Sequence, residues 1–236
     1  MSTRSAVLEW GRERLRVGRW RSDSRTAILS PAGESALLSR SFIERCLKTL
    51  ADEGYTSAVT AALSRTEQAP FLAAGFYEHE RLRLLSHDLR RAPVVRDAPL
   101  RRALDHDHPA VLAVDAASFS PFWQLDEWSL REAIEATPST LFKVAVDGAD
   151  QVVGYAIAGR TQRRGYLQRL AVHPDCQRLG LGAALVADSL RWMRRRGVER
   201  VVVNTQMGNE AARRLYVRLG FREERDSLAV LRYDLP

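Results

Sequence analysis

A short segment, Gln-Arg-Leu-Gly-Leu-Gly at residues 177–182, has the composition of an anion-binding loop. Its glycines let the chain turn tightly and let a phosphate approach the backbone amides. Residues 183–196 carry apolar residues at helical spacing, so the loop leads into a helix. The N–H groups of a first helical turn have no acceptor within the helix, and the helix dipole adds partial positive charge. The segment therefore predicts a pyrophosphate site, to which Arg178 adds a cation.

Two common phosphate-binding motifs do not fit this loop. No Gly-Lys-Ser/Thr sequence follows it, which excludes a Walker loop. Leu185 stands where a dinucleotide-binding fingerprint has its third glycine, and Glu199 precedes the next apolar strand, whereas a ribose-binding acid follows one. On the glycines alone, an ordinary strand-to-helix turn without a ligand is the alternative.

The loop must be positioned by a strand before it and a helix after it. Residues 166–172 are short and apolar-rich and end at His173-Pro174, which is typical of a buried strand followed by a turn. Gly197 stands where a helix C-cap glycine belongs. A second strand at residues 201–203 and a second helix from Asn209, a residue suited to capping, complete the predicted unit.

Two segments, in order along the chain, resemble the signatures of the GNAT N-acetyltransferase superfamily. Residues 170–182 are similar to that family's acyl-CoA-binding region, with its pattern Gln/Arg-x-x-Gly-x-Gly/Ala. Residues 209–221 resemble its second signature, Asn-x-x-Ala-x-x-Leu-Tyr-x-x-x-Gly-Phe. The resemblance covers about residues 93–236. It implies an α/β fold of the GNAT type, with a mixed central sheet flanked by helices.

The resemblance also implies an acetyl-CoA-dependent acetyltransferase with defined residue roles. Strand backbone groups would hold the pantetheine arm in a wedge beside a bulge, which the sequence does not locate, and the loop would hold the pyrophosphate. Tyr216 matches the tyrosine that protonates the departing thiolate, and a phenol with a pKa of about 10 stays protonated at neutral pH. A core tyrosine is the alternative. The predicted cofactor-binding residues are Leu170, Ala171, Val172, Gln177, Arg178, Leu179, Gly180, Leu181, Gly182, Ala183 and Asn209, the last of which alternatively caps its helix.

The sequence lacks the glutamate base that many relatives carry on the two central strands. Gln168 and Asn204 occupy those positions, and neither amide takes up a proton at neutral pH. The ribosomal-protein N-terminal acetyltransferases, which this region otherwise resembles, have a glutamate at the position of Asn204. A water relay, Glu132, or an acceptor amine that is already neutral are the alternatives, since an α-amino group has a pKa of about 8.

Two acceptor classes are expected, in this order: first a protein or peptide N-terminus, then a small-molecule amine. The aromatic segment at residues 118–128 would overhang the acceptor or pack as core. Asp126 and Glu127 within it would suit a polyamine or an aminoglycoside. A non-catalytic acyl-CoA sensor or scaffold, which has lost its base, is the alternative function.

Composition agrees with a globular protein of one large or two small domains. The 236 residues are 45% hydrophobic and 28% charged, and the net charge of +7 comes almost wholly from arginine. That charge would attract cofactor phosphates; nucleic-acid binding is not expected, since no such motif is present. No apolar run reaches membrane-span length, and Cys46 and Cys176 give no disulfide framework, so a cytoplasmic location is the default expectation.

Other chemically active groups are interpreted as structural. His173 is a turn residue, and Cys176 is incidental despite its place near a helix start. The histidines and aspartates of residues 105–108 lack a second ligand group at suitable spacing, so no metal is predicted.

The first part of the chain repeats the plan of the second. A helix-end glycine and a Gly-Phe pair are separated by 75 − 54 = 21 residues in the first part and by 220 − 197 = 23 in the second. We therefore predict a smaller, degenerate half-GNAT-like α/β domain at residues 1–92 and a catalytic GNAT domain at residues 93–236. In the first domain the loop position has no arginine and contains Glu34, so this domain is predicted to bind no CoA and to serve as a packing partner.

The remaining predicted elements follow from local periodicity and turn residues. In the first domain they are strands at 7–10, 15–20, 26–29, 55–63 and 77–89 and helices at 35–52 and 67–74; in the second they are a strand or connection at 94–96, an irregular or helix-starting segment at 98–108, helices at 110–117 and 129–136, a hairpin of 141–146 with 151–159, and a strand at 228–233.

Overall fold

A computed structural model describes residues 6–21, 23–32, 38–91 and 93–236. The strands within these ranges are β1 (Ala6–Trp10), β2 (Glu13–Trp20), β3 (Asp23–Pro31), β4 (Ser57–Thr60), β5 (Tyr77–His87), β6 (Leu100–Arg102), β7 (Ser139–Val146), β8 (Val152–Thr161), β9 (Arg164–Val172), β10 (Arg200–Gln206), β11 (Arg222–Glu223) and β12 (Leu228–Asp234). The α-helices are α1 (Arg40–Asp52), α2 (Arg65–Ala73), α3 (His108–Ser118), α4 (Glu127–Glu135), α5 (Leu181–Arg194) and α6 (Glu210–Arg218).

The chain forms two compact units whose sequences interleave. The first contains the described residues up to Leu84, with Asn204–Gly208 and Glu224–Pro236, and the second contains Leu85–Val203 and Asn209–Glu223. The domain boundary predicted between residues 92 and 93 stays a prediction, since a compact unit is defined by proximity and a domain by independent folding. Residue 92 itself lies outside the described residues.

In the first unit the strand order is β1-β2-β3-β4-β12-β5. Strands β3 and β4 are parallel, and the other pairs are antiparallel. Helix α1 begins after Ser39, whose hydroxyl accepts from the N–H of Phe42 at 3.2 Å, and it packs an apolar face into the core of this unit. Strand β12 lies between β4 and β5, although it is far from both along the chain.

In the second unit the strand order is β10-β9-β8-β7-β6, with β9 and β10 parallel and the other pairs antiparallel. Helices α3 and α4 contribute to one apolar cluster with residues of β7, β8 and β9. Helices α5 and α6 contribute to another, larger cluster. This mixed sheet flanked by helices is the α/β architecture that the sequence predicted. None of the helices that the structure describes is long and apolar enough to cross a membrane.

Most predicted elements are present with shifted ends. Of the two alternatives for residues 94–96, a strand or a connection, the structure shows the connection, with Val94 fully exposed. The segment at residues 98–108, expected to be irregular or to start a helix, contains strand β6, which pairs with β7. Strand β11, of two residues, was not predicted. The helix predicted at residues 35–52 corresponds to α1, which begins at Arg40. Residues 35–37 of that prediction lie outside the described residues.

The same order of elements occurs in both parts of the chain. The sequence α1-β4-α2-β5 corresponds to α5-β10-α6-β12. Gly54 and Gly197 follow the first helix of each series with φ of +87° and +73°, while Gly75 and Gly220 precede the buried phenylalanines with φ of +96° and +94°. These left-handed positions favour glycine in both series. That the first series is a degenerate copy stays a prediction.

Candidate functional site

Strand β9 has a ladder along the whole of one edge but along only the start of the other. It pairs with β8 from Arg164 to Val172. The parallel ladder with β10 joins only the three pairs from Arg164 to Tyr166. Among the described residues, the part of β9 after Tyr166 therefore has no ladder partner on the β10 side. Backbone groups that a ladder does not use are available to a ligand.

A β-bulge lies where this ladder has ended. Ile157 of β8 is opposite Arg169, and the next residue, Ala158, is opposite Leu167, so Gln168 is the extra residue of β9. A bulge bends its strand and changes the direction of its side chains. The Oε1 atom of Gln168 is buried and has no hydrogen-bond partner among the described residues. At this position Oε1 could accept a hydrogen bond from a ligand.

The predicted loop after β9 leads into an uncapped helix. Arg178 and Gly180 have φ of +64° and +86°, and Gly180 is the N-cap residue of α5, without a side-chain cap. The first backbone bond of the helix runs from the N–H of Ala184 to the carbonyl of Gly180, at 3.0 Å. The N–H groups of the three residues before Ala184 thus have no acceptor within the helix. Residues 177–180 are exposed, so this end of the helix is open to an anion.

Gly182 lies where the three parts of the predicted site meet. A Cβ atom added to Gly182 would lie 3.4 Å from Cδ2 of Leu215 and 3.7 Å from Cγ2 of Val172. These are ordinary van der Waals distances, so packing within the protein would accept alanine here. The end of β9, the first turn of α5 and helix α6 therefore adjoin one another, as the two sequence signatures require.

Tyr216 is buried on α6, with 5% of its surface exposed. Its ring centroid lies 5.5 Å from that of Phe221, and burial raises the pKa of its phenol. The hydroxyl has no hydrogen-bond partner among the described residues. The group is therefore protonated at neutral pH, and it can give a proton but not take one.

Asn209 is the N-cap of α6. Its Oδ1 accepts from the N–H of Ala212 at 3.0 Å. The capping interpretation of this residue is confirmed, and its contact with a cofactor stays a prediction.

A buried histidine at the end of β5 packs on Phe221, the ring that Tyr216 also contacts. His87 is 4% exposed, and its ring centroid lies 5.1 Å from that of Phe221. Its Nδ1 accepts from the N–H of Leu89 at 2.9 Å. Nδ1 is therefore unprotonated, since a protonated nitrogen could not accept this bond.

Stability is expected to fall as the pH drops below about 6.5, the pKa of an unfolded histidine. Burial lowers the pKa of His87; the charge of Asp88 and a hydrogen bond with the backbone of Leu219 oppose this, and Arg222 reinforces it. The unfolded chain then takes up the proton more readily than the folded one, so this stability is fully present above that pH and is lost below it. Urea unfolding at pH 7.5 and 5.5 would measure the change, and His87→Asn should reduce it. Equal pH slopes in both proteins would contradict the assignment.

A buried ion pair, which the sequence patterns did not predict, lies beside this site. Asp115 of α3 is fully buried, and Arg169 of β9 donates to it from Nε at 2.8 Å and from Nη2 at 3.0 Å. A partial signal was present in the sequence, since Asp115 is a charge within an apolar stretch of its helix and Arg169 directly precedes the apolar end of β9. Two such charges of opposite sign indicate a pair.

A known protein family and several known proteins are similar to this chain in sequence. The model of the acetyltransferase (GNAT) family matches residues 102–221. This chain belongs to the GNAT acetyltransferase family. Mycothiol acetyltransferase of Actinosynnema mirum is 34% identical over 123 residues, covering 49% of this chain and 41% of the relative. The mycothiol acetyltransferase of Renibacterium salmoninarum is 30% identical over 175 residues, covering 68% of this chain and 52% of the relative. N-alpha-acetyltransferase 30 of Schizosaccharomyces pombe is 36% identical over 83 residues, covering 33% and 55%. The chain spans about half the length of these curated relatives.

Solved structures share the fold along nearly the whole chain. The match to a tandem GNAT protein from the clavulanic acid biosynthesis pathway covers 95% of this chain and 79% of that protein's chain, with a TM-score of 0.70 and 15% identity. A GCN5-related N-acetyltransferase from Sphaerobacter thermophilus covers 94% and 76%, with a TM-score of 0.67 and 16% identity. The GNAT fold predicted from the two signatures is confirmed.

The candidate bases of this GNAT protein occupy three different elements. Gln168 is the bulge residue of β9, Asn204 is an exposed residue of β10, and Glu132 is an exposed residue of α4. His173 lies in the turn after β9, where its Nδ1 accepts from the N–H of Asp175 at 3.4 Å. This geometry agrees with the interpretation of His173 as a turn residue.

The acidic residues near α3 also have structural partners. Arg101 donates to both carboxylate oxygens of Asp107, at 2.6 and 2.9 Å, and the N–H of Leu104 donates to one of them at 2.7 Å. Arg101 is the main cause that lowers the pKa of Asp107 to about 2. The carboxylate thus secures the turn before α3.

In the described part of the first unit, the corresponding strand edge is paired. Strands β3 and β4, which correspond to β9 and β10, pair from Thr26 and Ser57 to Leu29 and Thr60. The N–H of Ala61 then donates to the carbonyl of Leu29 at 2.8 Å. No gap for a pantetheine arm opens along this described ladder. The observation supports the prediction that this unit binds no CoA, while Glu34, used in that prediction, lies outside the described residues.

Proposed function

We propose that this chain is an acetyl-CoA-dependent N-acetyltransferase that transfers the acetyl group to a primary amine. Two observations carry the proposal together. From Leu167 onward β9 has no ladder partner on the β10 side among the described residues, and the loop after β9 leads to the uncapped N-terminus of α5. An extended pantetheine arm fits a strand edge, and a pyrophosphate fits a helix N-terminus.

Each part of the loop has a distinct proposed task. The N–H groups of Leu181, Gly182 and Ala183 bind the pyrophosphate, and Arg178, in its exposed left-handed position, adds charge. Gln177 supports the site indirectly, because its Nε2 donates to the carbonyl of Val172 at 3.1 Å.

Within β9, the backbone of Leu170 and Ala171 carries most of the proposed pantetheine contact. The carbonyl of Val172 already accepts from Oγ of Ser118 at 3.2 Å as well as from Gln177. Because two side chains already donate to the Val172 carbonyl oxygen, it has less capacity left for a hydrogen bond from a ligand.

The proposed chemistry uses backbone donors and one side-chain acid. Acetyl-CoA supplies a thioester whose carbonyl carbon the amine nitrogen attacks, forming the C–N bond as the C–S bond breaks. Backbone N–H groups of β9 polarise the carbonyl oxygen, which becomes negative during the attack. Tyr216 gives its proton to the departing sulfur, and the proton lost by the nitrogen passes to water, from which Tyr216 is reprotonated.

The relatives favour a small-molecule amine over a peptide N-terminus as acceptor. The match to the mycothiol acetyltransferase of Renibacterium salmoninarum covers 68% of this chain, which is more than residues 93–236 supply. The match to N-alpha-acetyltransferase 30 covers 33%. The more extensive likeness therefore reaches into the first part of the chain, and it is to enzymes named mycothiol acetyltransferases.

Calorimetric titration with acetyl-CoA tests the cofactor part of the proposal. One site per chain is expected, since the first unit has a closed β3–β4 ladder. Turnover is then followed as CoA thiol release with small amines and with peptides that have a free N-terminus. Absence of binding would overturn the proposal, and two sites would overturn the assignment of the first unit.

A non-catalytic acyl-CoA sensor is the second candidate, favoured by the amides of Gln168 and Asn204 where relatives carry a glutamate. Acetyl-CoA binding without turnover on either acceptor class would establish this alternative. Buried, protonated Tyr216 argues against it, since a sensor needs no acid.

A further inference from the structure

Asp115 uses both of its carboxylate oxygens to join three elements and a loop. Besides the two bonds from Arg169, Oδ2 accepts from the hydroxyl of Tyr155 on β8. Oδ1 accepts from the N–H of Leu125, in the aromatic segment, at 2.7 Å. Asp115 and Tyr155 have no exposed surface, and the Arg169 side chain is 11% exposed. Buried, these bonds are strong and their geometry is fixed.

Arg169 holds the aromatic segment a second time. Its Nη2 donates to the carbonyl of Trp123 at 2.6 Å, and its guanidinium carbon lies 3.6 Å from the ring centroid of Phe119. Within the aromatic segment, the part from Phe119 to Leu125 is thus attached at both of its ends and at Trp123 to one ion pair. Its aromatic rings are half-buried, which leaves part of each accessible.

The attachment point on β9 is next to the proposed reaction centre. Arg169 directly follows the bulge residue Gln168 and precedes Leu170, whose backbone would contact the thioester arm. The Arg169 side chain therefore holds the aromatic segment at the part of β9 that, among the described residues, has no ladder partner on the β10 side.

We propose that the Asp115–Arg169 pair positions residues 119–125 as a wall of the acceptor-amine site, so that both are positioning residues for the acceptor and not for acetyl-CoA. The proposal rests on the proposed function. Acetyl-CoA contacts the backbone of β9 and α5, which the β8 ladder and the helix hold independently of the pair. The acceptor depends on where the aromatic segment lies, and a displacement of about 1 Å can reduce the rate of a positioned reaction roughly a hundredfold.

The test replaces the whole network by apolar residues of similar size. Removing one partner alone would leave a buried unpaired charge and destabilise the protein, whereas replacing all polar partners together is often neutral. The triple variant Asp115→Leu, Tyr155→Phe, Arg169→Met keeps side chains of similar size and removes the bonds that this network makes to Trp123 and Leu125. Tyr155→Phe alone is the matched control, because it removes one bond and leaves the contacts with Trp123 and Leu125 intact.

For the triple variant we expect an acceptor KM raised roughly tenfold or more, with acetyl-CoA affinity within about threefold of wild type. Hydrogen exchange at the Leu125 amide should also become faster, which needs no substrate to observe. The Tyr155→Phe control should keep the wild-type acceptor KM and the wild-type exchange rate at the Leu125 amide. An unchanged acceptor KM despite faster exchange would overturn the positioning role and leave the proposed function standing.

Two other outcomes are also decisive. Parallel losses in thermal stability, acetyl-CoA affinity and kcat would show a purely structural network and overturn the proposal. Failure of the wild-type protein to bind acetyl-CoA would refute the proposed function itself, and with it any acceptor wall.

Discussion

Replacing Tyr216 with phenylalanine is expected to lower kcat by about two to four orders of magnitude, the usual worth of a positioned general acid. The affinity for acetyl-CoA should hardly change, because the hydroxyl acts on the sulfur only as the C–S bond breaks. Stability should also be kept. The phenylalanine ring retains the packing on Phe221, and no hydrogen bond among the described residues is lost. Steady-state kinetics, calorimetry and thermal unfolding measure the three quantities.

Tyr233→Phe provides a matched control for this substitution. Tyr233 is half-buried in the first unit, where its ring centroid lies 5.3 Å from that of Phe76. The same chemical change there should leave kcat within about twofold. If Tyr216→Phe also leaves kcat within twofold on a confirmed acceptor, Tyr216 is a core residue and another group protonates the thiolate.

Replacing Gly182 with glutamate is expected to weaken acetyl-CoA binding by roughly a hundredfold or more, which is about 2.7 kcal/mol. The new carboxylate would stand on the first turn of α5, where the proposed pyrophosphate binds. Two like charges about 4 Å apart near a protein surface repel by about 4 kcal/mol, so the charge alone accounts for a loss of this size. Calorimetric titration gives the affinity directly.

Two comparisons separate this effect from damage to the fold. Gly182→Ala should bind acetyl-CoA within a few-fold of wild type, because its Cβ makes only ordinary contacts with Leu215 and Val172. The glutamate variant should be at least as stable as wild type, since an acidic residue in a first turn favours the helix dipole and glycine is a weak helix former. Equal affinity of the glutamate and alanine variants would place the pyrophosphate elsewhere.

The sequence predicted those parts of the site that depend on neighbours along the chain. The loop, helix α5 and the cap of α6 follow from glycine positions, helical spacing and the side chain of Asn209. The GNAT family followed from two such local signatures, and the family comparison bears it out.

The parts that escaped prediction depend on partners distant in the sequence. The bulge at Gln168 is defined by the register of β8 opposite it, which no local pattern in β9 fixes. Asp115 and Arg169 are 54 residues apart, and either charge alone is ambiguous. Strand β6 is three residues long and follows Pro99, so periodicity could not reveal it.

The place of β12 in the first unit governs when that unit is completed during synthesis. Strands β4 and β5 are made early, but the strand between them pairs Arg232 with Val59 and Leu228 with Leu82. Their facing edges therefore stay unpaired until the ribosome has passed residue 234. Open strand edges are templates for aggregation, and pairings over such separations form slowly. A nascent chain of this protein thus has a long interval in which chaperones can bind it, and a fragment of residues 1–92 would retain that vulnerability permanently.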